Sequence, residues 1–271
     1  VRPDKVVKPV LPKLPFRVNE AINILRGNIQ MSGYRLKAIA VTSAGAHEGK
    51  SSTAFRLAKS MAALDKRVLY LDCDMVADHD VAELYDMDLK GAVIGAAKDI
   101  DVAGQMNLNQ NNWRQYAAET LGLDSPYDYF QAGVLILDLD GLRKTMSSED
   151  MIQMALTHSY RCHDQDILNI VCKNKVAYLP QQWNTLMDWQ EIGRSRMDIL
   201  KMAPRQLYEA YTQARKRPYL IHFAGYQKPW DVVDCDFAEY FWEYAKLSPY
   251  YPMILRNRKD GAERGHPEDC Q

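Results

Sequence analysis

Residues 67–75 read RVLYLDCDM, so an apolar segment, Val68 to Leu71, runs directly into Asp72 and Asp74. A short apolar run that ends at a charged residue is typical of a buried β-strand. In open α/β sheets, ligands bind at the carboxyl ends of the strands, which is where these two carboxylates fall. Paired carboxylates at a strand end can grip a divalent ion that bridges a nucleotide diphosphate, and Asp72 and Asp74 are therefore candidate metal ligands.

The spacing of two aspartates is a weak signal without its context. In this chain the Asp-x-Asp pattern begins at Asp72, Asp78, Asp86, Asp99, Asp138, Asp164 and Asp234. We select the pair at Asp72 because it directly follows the apolar strand. The third candidate ligand is His222, in the predicted strand Tyr219 to Phe223. Two carboxylates and an imidazole suit Mn²⁺, with Mg²⁺ as the alternative, although a lone histidine is more often structural.

The segment around His222, residues 221–230, reads IHFAGYQKPW and contains two groups suited to a diphosphate. Gly225 lacks a side chain and permits close approach of the backbone to a phosphate. Lys228 supplies positive charge for a departing diphosphate. These two residues are therefore the candidate diphosphate contacts.

A second nucleotide site is predicted near the start of the chain, where residues 44–51 read AGAHEGKS. This segment fits a relaxed P-loop pattern in which alanine replaces the first glycine. Backbone N–H groups opened by glycine, together with a helix N-terminus, cradle polyphosphates such as ATP. Lys50 would neutralise phosphate oxygens and Ser51 would hold Mg²⁺, whereas the plainer interpretation is an ordinary glycine loop. The nucleotide-binding candidates are Gly45, Gly49, Lys50, Ser51 and Ser52.

The order of the predicted elements indicates an α/β fold. Four prolines in residues 1–16 predict an extended arm, and residues 17–32 form an amphipathic pattern that predicts a helix. A strand at 36–41, a helix at 50–64 and a strand at 67–71 make a βαβ unit, so we expect a mostly parallel central sheet flanked by helices. Later predicted elements are strands at 92–96, 133–139, 176–179 and 219–223, an aromatic helix at 237–247 and a charged tail at 256–271.

Composition limits the partners and the compartment. Lys and Arg number 34 against 35 Asp and Glu, so no overall field favours nucleic acid. The five cysteines are widely spaced, without a C-x-x-C pair, and this favours a reducing cytoplasm over a disulfide framework. No apolar run approaches the roughly 18 residues typical of a membrane span, and the start lacks the apolar block of a signal peptide. The first residue is Val1, which predicts that sequence precedes it.

Residues 19–75 resemble the start of the bacterial capsule and exopolysaccharide tyrosine kinases, with the phosphate loop followed by Asp72 and Asp74 as a second acidic motif. The resemblance implies binding of ATP with Mg²⁺ and self-association through the helix at 17–32. One arginine of that helix's motif is lost, because the matching positions are Glu20, Asn23 and Arg26. The later acidic strand and the tyrosine-rich tail of that family are also missing.

From about residue 67 to residue 255 the chain resembles a family 8 glycosyltransferase, a retaining group that includes bacterial lipopolysaccharide hexosyltransferases. The matching segments, in order, are RVLYLDCDM, VAELYDMDLKGAVIGAAKD, YFQAGVLILDLDGLR, DQDILN, LPQQWN, IHFAGYQKPW and FAEYFWEYAKLSPYY. The resemblance implies a GT-A-like fold and a UDP-sugar donor, with Asp72, Asp74 and His222 as metal ligands and with Gly225 and Lys228 at the diphosphate.

The same resemblance assigns residues to the donor sugar. Asp164 would hold its hydroxyls, and Gln165 would lie near the reactive face of the anomeric carbon. Taken alone, Asp164 would be explained as the cap of a helix at 165–174. Gln131 stands where the family often has asparagine, which lengthens a sugar-contacting amide by one methylene.

The two resemblances overlap at residues 67–75, and we infer a chimera joined there. Its segments would be an arm at 1–16, a kinase-like βαβ segment at 17–75, a transferase-like domain at 67–255 sharing the strand at 67–74, and a tail at 256–271. The expected function is retaining, metal-dependent transfer of a hexose from a UDP-sugar to a glycan or glycolipid in surface polysaccharide synthesis, in the cytoplasm or at the inner face of the membrane. Loss of the uridine-binding strands would impair it. The alternatives are an ATP-binding, kinase-like module and an inactive nucleotide-binding hybrid.

Overall fold

A computed structural model describes residues 21, 22, 24–26, 29, 53, 57, 60, 68–108, 112–191, 194–232 and 234–256. The chain divides into two compact units, Val1–Lys66 and Arg67–Gln271. In the first unit the described residues are helical, and the Arg26 guanidinium donates to the Ser60 carbonyl at 3.0 Å. Several predictions lie outside the described residues: the arm at 1–16, most of the helix at 17–32, the strand at 36–41, the tail beyond residue 256, and Gly45, Gly49, Lys50, Ser51 and Ser52.

The described part of the second unit alternates short strands with helices. Its strands are β1 (Val68–Leu71), β2 (Met75–Ala77), β3 (Ile94–Lys98), β4 (Phe130–Leu137), β5 (Val176–Leu179), β6 (Thr185–Leu186), β7 (Gln190–Glu191), β8 (Arg194–Ser195) and β9 (Leu220–His222). Its α-helices are α1 (Val81–Tyr85), α2 (Ile100–Gln105), α3 (Trp113–Glu119), α4 (Leu139–Thr145), α5 (Ser148–Thr157), α6 (His163–Val171), α7 (Arg196–Leu200), α8 (Arg205–Ala214) and α9 (Ala238–Ala245). Short 3₁₀ helices lie at Pro126–Asp128 and Gln181–Asn184.

The larger sheet is centred on β4. Its strand order is β1-β4-β3-β5, with β4 antiparallel to both β1 and β3, and β3 parallel to β5. Val134 and Ile136 are fully buried in one apolar cluster, whereas Leu135 packs in the cluster on the other side of the sheet. Each such buried side chain stabilises the fold by about 1.5–3 kcal/mol.

A smaller sheet has the order β2-β9-β6, with β9 antiparallel to β2 and parallel to β6. The chain passes from β1 into β2 of this sheet through a short bend at Cys73 and Asp74. A third ribbon pairs β7 with β8 in antiparallel fashion. The carboxylates of Asp72 and Asp74 therefore lie at the corner between the larger sheet and the smaller one.

The prediction of a mostly parallel sheet is wrong, because the described sheets are mixed. That prediction rested on the βαβ unit at 36–71, most of which lies outside the described residues. The apolar run of β4 reflects burial on both faces, and this composition is the same for a parallel strand and for an antiparallel strand covered on both sides. The strand predicted at 176–179 is confirmed to the residue, and the aromatic helix is confirmed as Ala238–Ala245. Within the described residues, no helix combines the length and apolar character that crossing a bilayer requires.

Candidate metal and donor site

Backbone pairing fixes the positions of Asp72 and Asp74. The Asp72 N–H donates to the Gly133 carbonyl of β4 at 2.8 Å, which continues the β1–β4 ladder by one residue. The Asp74 carbonyl accepts from the Phe223 N–H at 2.9 Å, just beyond the end of β9. One aspartate is thus anchored to the larger sheet and the other to the smaller sheet.

The register of β2 against β9 brings His222 to the same corner. Met75 pairs with His222, so the histidine lies beside the residue that follows Asp74. His222 is 2% exposed, and its Nε2 is 3.2 Å from Oδ1 of Asp74. Asp72, Asp74 and His222 each offer one ligand atom, and these atoms lie within 4.8 Å of one another. The three side chains that the sequence selected as ligands therefore lie close enough to share one ion.

Asp74 is held in its ionised form by its neighbours. Burial alone would raise its pKa, but His222 and the Lys228 ammonium more than offset this, so the pKa of Asp74 lies well below its ordinary value. The Lys228 Nζ donates to Oδ2 of Asp74 and to the Phe223 carbonyl, each at 2.6 Å. The Lys228 ammonium, which the sequence analysis predicts to contact a diphosphate, thus lies directly beside the candidate metal ligand Asp74.

Gly133 gives the imidazole its space. A Cβ built at this position would lie 2.4 Å from Cε1 of His222, 2.8 Å from Cε of Met75 and 2.9 Å from Oε1 of Gln131. Real Cβ atoms do not approach other atoms this closely, so any larger residue at position 133 would displace the histidine. The absence of a side chain in the middle of β4 is therefore a requirement of the site.

Gln131 lies behind the histidine. Its Oε1 accepts from the Gly133 N–H and from Nδ2 of Asn184, both at 2.6 Å. Asn184 in turn contacts Nδ1 of His222 through its Oδ1 at 3.0 Å. The amide predicted to contact the sugar is thus also linked, through one buried side chain, to a candidate metal ligand.

The DQD motif opens helix α6, which begins at His163, two residues earlier than the helix predicted from 165, and has Cys162 as its N-cap. Asp164 is therefore inside the first turn, and the interpretation of it as the cap is wrong. Its side chain is exposed, and Oδ1 accepts from the Gln165 N–H at 3.1 Å. Its carboxylate remains accessible to a ligand.

Gln165 is fixed against the same segment of β4 that supports His222. Its Oε1 accepts from the Ala132 N–H at 2.8 Å, and its Nε2 donates to Oδ2 of Asp99 at 2.9 Å and to the Tyr129 hydroxyl at 3.1 Å. The Tyr129 hydroxyl donates to the buried carboxylate of Asp166. Gln165 and the histidine are thereby connected through consecutive residues of β4.

Sequence reasoning missed Asp99, which belongs to one of the Asp-x-Asp pairs set aside above. It is buried, caps α2 through the Val102 N–H at 2.9 Å, and accepts from Gln165. Burial, reinforced by the Asp101 carboxylate, raises the pKa of Asp99 to about 6. Asn184 was also missed, although it lies within the quoted segment LPQQWN. A polar residue ends that segment, but the sequence around Asn184 does not show that its partner is His222.

The loop after β9 is held by a buried cation. Gly225 has a φ of +115°, a conformation that residues with side chains rarely adopt. Nη1 of Arg196 donates to the carbonyls of Ala224 and Met187 at 2.9 and 3.0 Å, and Nε lies 2.8 Å from Oδ2 of Asp101. The loop that carries Gly225 and Lys228 is therefore fixed to the segment after β6.

Comparisons with known proteins agree with this architecture. Residues 54–233 match the model of glycosyl transferase family 8, and the chain belongs to that family. The lipopolysaccharide 1,2-glucosyltransferase of Escherichia coli is 28% identical over 202 residues, which cover 73% of this chain and 52% of that protein. The chain spans about half the length of the curated relatives it matches.

Solved structures show the same mixed α/β fold. The apo structure of the bifunctional glycosyltransferase WbbM is 28% identical with a TM-score of 0.64, covering 71% of this chain and 34% of that one. The galactosyltransferase LgtC, solved with donor and acceptor sugar analogues, is 30% identical with a TM-score of 0.50, covering 71% of this chain and 65% of that one. The family match runs through residues 67–75, where the chimeric joint was placed, and the comparisons support neither a kinase-like segment nor an ATP site.

Proposed function

We propose that the chain transfers a hexose from a UDP-sugar to a glycan or glycolipid acceptor, with retention of anomeric configuration, in surface polysaccharide synthesis. The observation that carries the proposal is the convergence of Asp72, Asp74 and His222, whose ligand atoms lie within 4.8 Å of one another. The membership of the family and the likeness to a lipopolysaccharide glucosyltransferase support the type of reaction.

The corner has the chemistry of a divalent-ion site. Oδ1 of Asp74 is buried and makes no hydrogen bond in the part of the chain that the structure describes, although it faces Nε2 of His222 at 3.2 Å. A buried carboxylate oxygen without a partner is costly. Two carboxylates and an imidazole match the donor preference of Mn²⁺, with Mg²⁺ as the harder alternative. Asp72, Asp74 and His222 would hold the ion.

The neighbouring residues are arranged for a diphosphate. A bound divalent ion acts as a Lewis acid that stabilises the negative charge of a departing diphosphate. Lys228 lies 2.6 Å from Asp74, so its ammonium is within reach of any group that binds at this corner. Gly225, with no side chain and a positive φ, lets the backbone of its loop approach phosphate oxygens.

The donor sugar would lie against Gln165 and Asp164. The Gln165 amide is held by three hydrogen bonds, so it cannot rotate away from the site. The Gln165 Oε1 atom can accept two hydrogen bonds, and one of them comes from the Ala132 N–H. Its second lone pair would remain for the reactive face of the anomeric carbon. Asp164 is exposed at the start of α6 and could accept hydrogen bonds from sugar hydroxyls.

Removal of one ligand tests this function. We expect Asp74→Asn to lower UDP-sugar hydrolysis and transfer more than about 100-fold, since even partners behind a metal ligand are worth about 10–100-fold. The assay measures UDP released from a panel of UDP-hexoses with Mn²⁺, with Mg²⁺ and with EDTA. Wild-type activity should disappear in EDTA and return with Mn²⁺.

The matched control is Asp78→Asn, which changes an exposed carboxylate just beyond β2 that belongs to another Asp-x-Asp pair. This variant should keep wild-type activity and the same response to Mn²⁺. Equal activities of Asp74→Asn and wild type would show that the sugar-transfer proposal is wrong.

A further inference from the structure

The imidazole of His222 is buried and contacts the protein through both ring nitrogens. Nδ1 lies 3.0 Å from Oδ1 of Asn184, and Nε2 lies 3.2 Å from Oδ1 of Asp74. Asn184 is 2% exposed, at the end of the 3₁₀ helix Gln181–Asn184 and directly before β6, which pairs with β9. Both partners are thus held by the sheet that carries the histidine.

We propose that Asn184 and Gln131 are positioning residues that keep the proton of neutral His222 on Nδ1, so that Nε2 presents its lone pair to the divalent ion. This inference rests on the metal site of the proposed function. It adds two residues that act through the histidine rather than touching the ion.

Hydrogen bonds link Gly133 to Gln131, Gln131 to Asn184 and Asn184 to His222. The backbone N–H of Gly133 fixes which atom donates in each of them. The Gly133 N–H can only donate, and its partner at 2.6 Å is Oε1 of Gln131, so that atom of the amide is the oxygen. The same oxygen lies 2.6 Å from a side-chain atom of Asn184, which must therefore be a donor. That atom is the Nδ2 amino group, and the orientation of the Asn184 amide follows from it.

With its amino group turned to Gln131, Asn184 presents Oδ1 to the histidine. An amide oxygen only accepts, so Nδ1 of His222 carries a proton. This excludes the neutral tautomer with its proton on Nε2. Neutral His222 therefore has its lone pair on Nε2, the nitrogen that faces the carboxylate of Asp74. Hydrogen bonds to the distal nitrogen set the tautomer of metal-binding histidines in this way.

The first test reads the tautomer in the metal-free protein. Histidine labelled with ¹⁵N, in EDTA at pH 8, gives long-range ¹H–¹⁵N correlations that distinguish a protonated Nδ1 from a protonated Nε2. His222→Gln assigns the signal by its loss. We expect a proton on Nδ1 of wild-type His222. A neutral ring that carries its only proton on Nε2 would overturn the proposal, whatever the activity of the protein.

The second test measures Mn²⁺ affinity by electron paramagnetic resonance. Asn184→Leu removes the acceptor, and we expect a mixture of tautomers and a 10- to 100-fold loss of Mn²⁺ affinity. Asn184→Asp loses the donor to Gln131 but keeps an acceptor at Nδ1, so it should keep the Nδ1–H tautomer and a Mn²⁺ affinity within about 10-fold of wild type. Gln131→Leu frees the Asn184 amide to rotate and should give a smaller loss, with some Nε2–H signal.

The control is Gln182→Leu, which removes a half-buried amide on the same 3₁₀ helix whose side chain makes none of the described hydrogen bonds. It should change neither the tautomer nor the Mn²⁺ affinity. If Asn184→Leu fails to fold, Gln131→Leu and Asn184→Asp still decide the question. Wild-type affinity in Asn184→Leu would overturn the proposal, whereas an absence of Mn²⁺ binding by wild type with Nδ1–H intact would instead contradict the metal site.

Discussion

The carboxylate of Asp74 lies between the imidazole of His222 and the ammonium group of Lys228, and the pKa of Asp74 lies well below its ordinary value. Oδ1 faces Nε2 of His222, and Oδ2 accepts from Lys228. The imidazole can take this position only because Gly133 has no side chain. The geometry of the site is therefore sensitive to single atoms on strands that the sequence places far apart.

Gly133→Ala tests this dependence. The added Cβ would lie 2.4 Å from the His222 ring, so the ring must move, and overpacking of this kind costs about 1–3 kcal/mol. We expect a lower free energy of unfolding together with at least a 10-fold loss of Mn²⁺ affinity. Denaturant unfolding and Mn²⁺ titration measure the two effects.

Gly91→Ala provides the control, because Gly91 has a φ of +84° and open space around it. Alanine there is strained and should cost about 1 kcal/mol of stability. Its Mn²⁺ affinity should be unchanged. If Gly133→Ala bound Mn²⁺ as tightly as Gly91→Ala, the space at Gly133 would not matter to the metal site.

At the scale of elements, the strand endings position the chemistry. β1 ends at Leu71 and delivers Asp72, β9 ends at His222, and β3 ends one residue before Asp99, which caps α2 and holds Gln165. The site is therefore assembled from the rims of two sheets rather than from one loop.

The buried cap Asp99 predicts a pH dependence of stability. Its pKa is raised from the ordinary 3.8 to about 6, so the native state keeps a proton that the unfolded chain releases between these values. Its contribution to stability is present below about pH 4 and is lost as the pH rises to about 6, by roughly 3 kcal/mol. Asp99→Asn should abolish this part of the decline, as measured by urea unfolding from pH 4 to pH 7.

The control for Asp99→Asn is a carboxylate that takes no part in the hydrogen bonds of Asp99. Asp88→Asn changes an exposed loop residue that accepts from the Lys90 N–H, and its stability curve should run parallel to that of wild type. Curves of the same shape for Asp99→Asn and wild type would mean that Asp99 does not titrate in this range.

The sequence predicted elements better than their arrangement. The apolar segment before Asp72 and the segment at 176–179 are strands, because a short run of buried residues bounded by polar ones identifies a strand locally. The directions of β1 and β4 could not be read from it, since burial on both faces gives the same composition in either direction. In the same way the sequence selected His222 but not Asn184, because a hydrogen bond between residues 38 positions apart leaves no local pattern.

At the scale of the whole molecule, the second unit contains every described residue of the candidate site. The chain spans about half the length of its curated relatives, and the family match extends from residue 54 to residue 233. Because that match crosses residues 67–75 without a break, the overlap of two resemblances at L-D-x-D does not require a joint there. Asp-x-Asp at the end of an apolar strand is too short a pattern to distinguish two α/β families.

At this scale we expect Mn²⁺ and UDP to stabilise the folded chain against heat. Mn²⁺ with UDP should raise the melting temperature by about 5–10 °C at 100 times the dissociation constant, where binding adds about 2.7 kcal/mol. Mg²⁺ with ATP should give no comparable rise, since the comparisons support no ATP site. Differential scanning fluorimetry measures both. A rise with ATP alone would indicate a different nucleotide site.

The most direct measurement is anomalous diffraction at the manganese edge from crystals grown with Mn²⁺ and UDP. We expect one anomalous peak at the corner between the two sheets, coordinated by Asp72, Asp74 and Nε2 of His222, with Lys228 turned to the diphosphate. A peak at another place in the molecule, or bound UDP with no metal at this corner, would contradict the account.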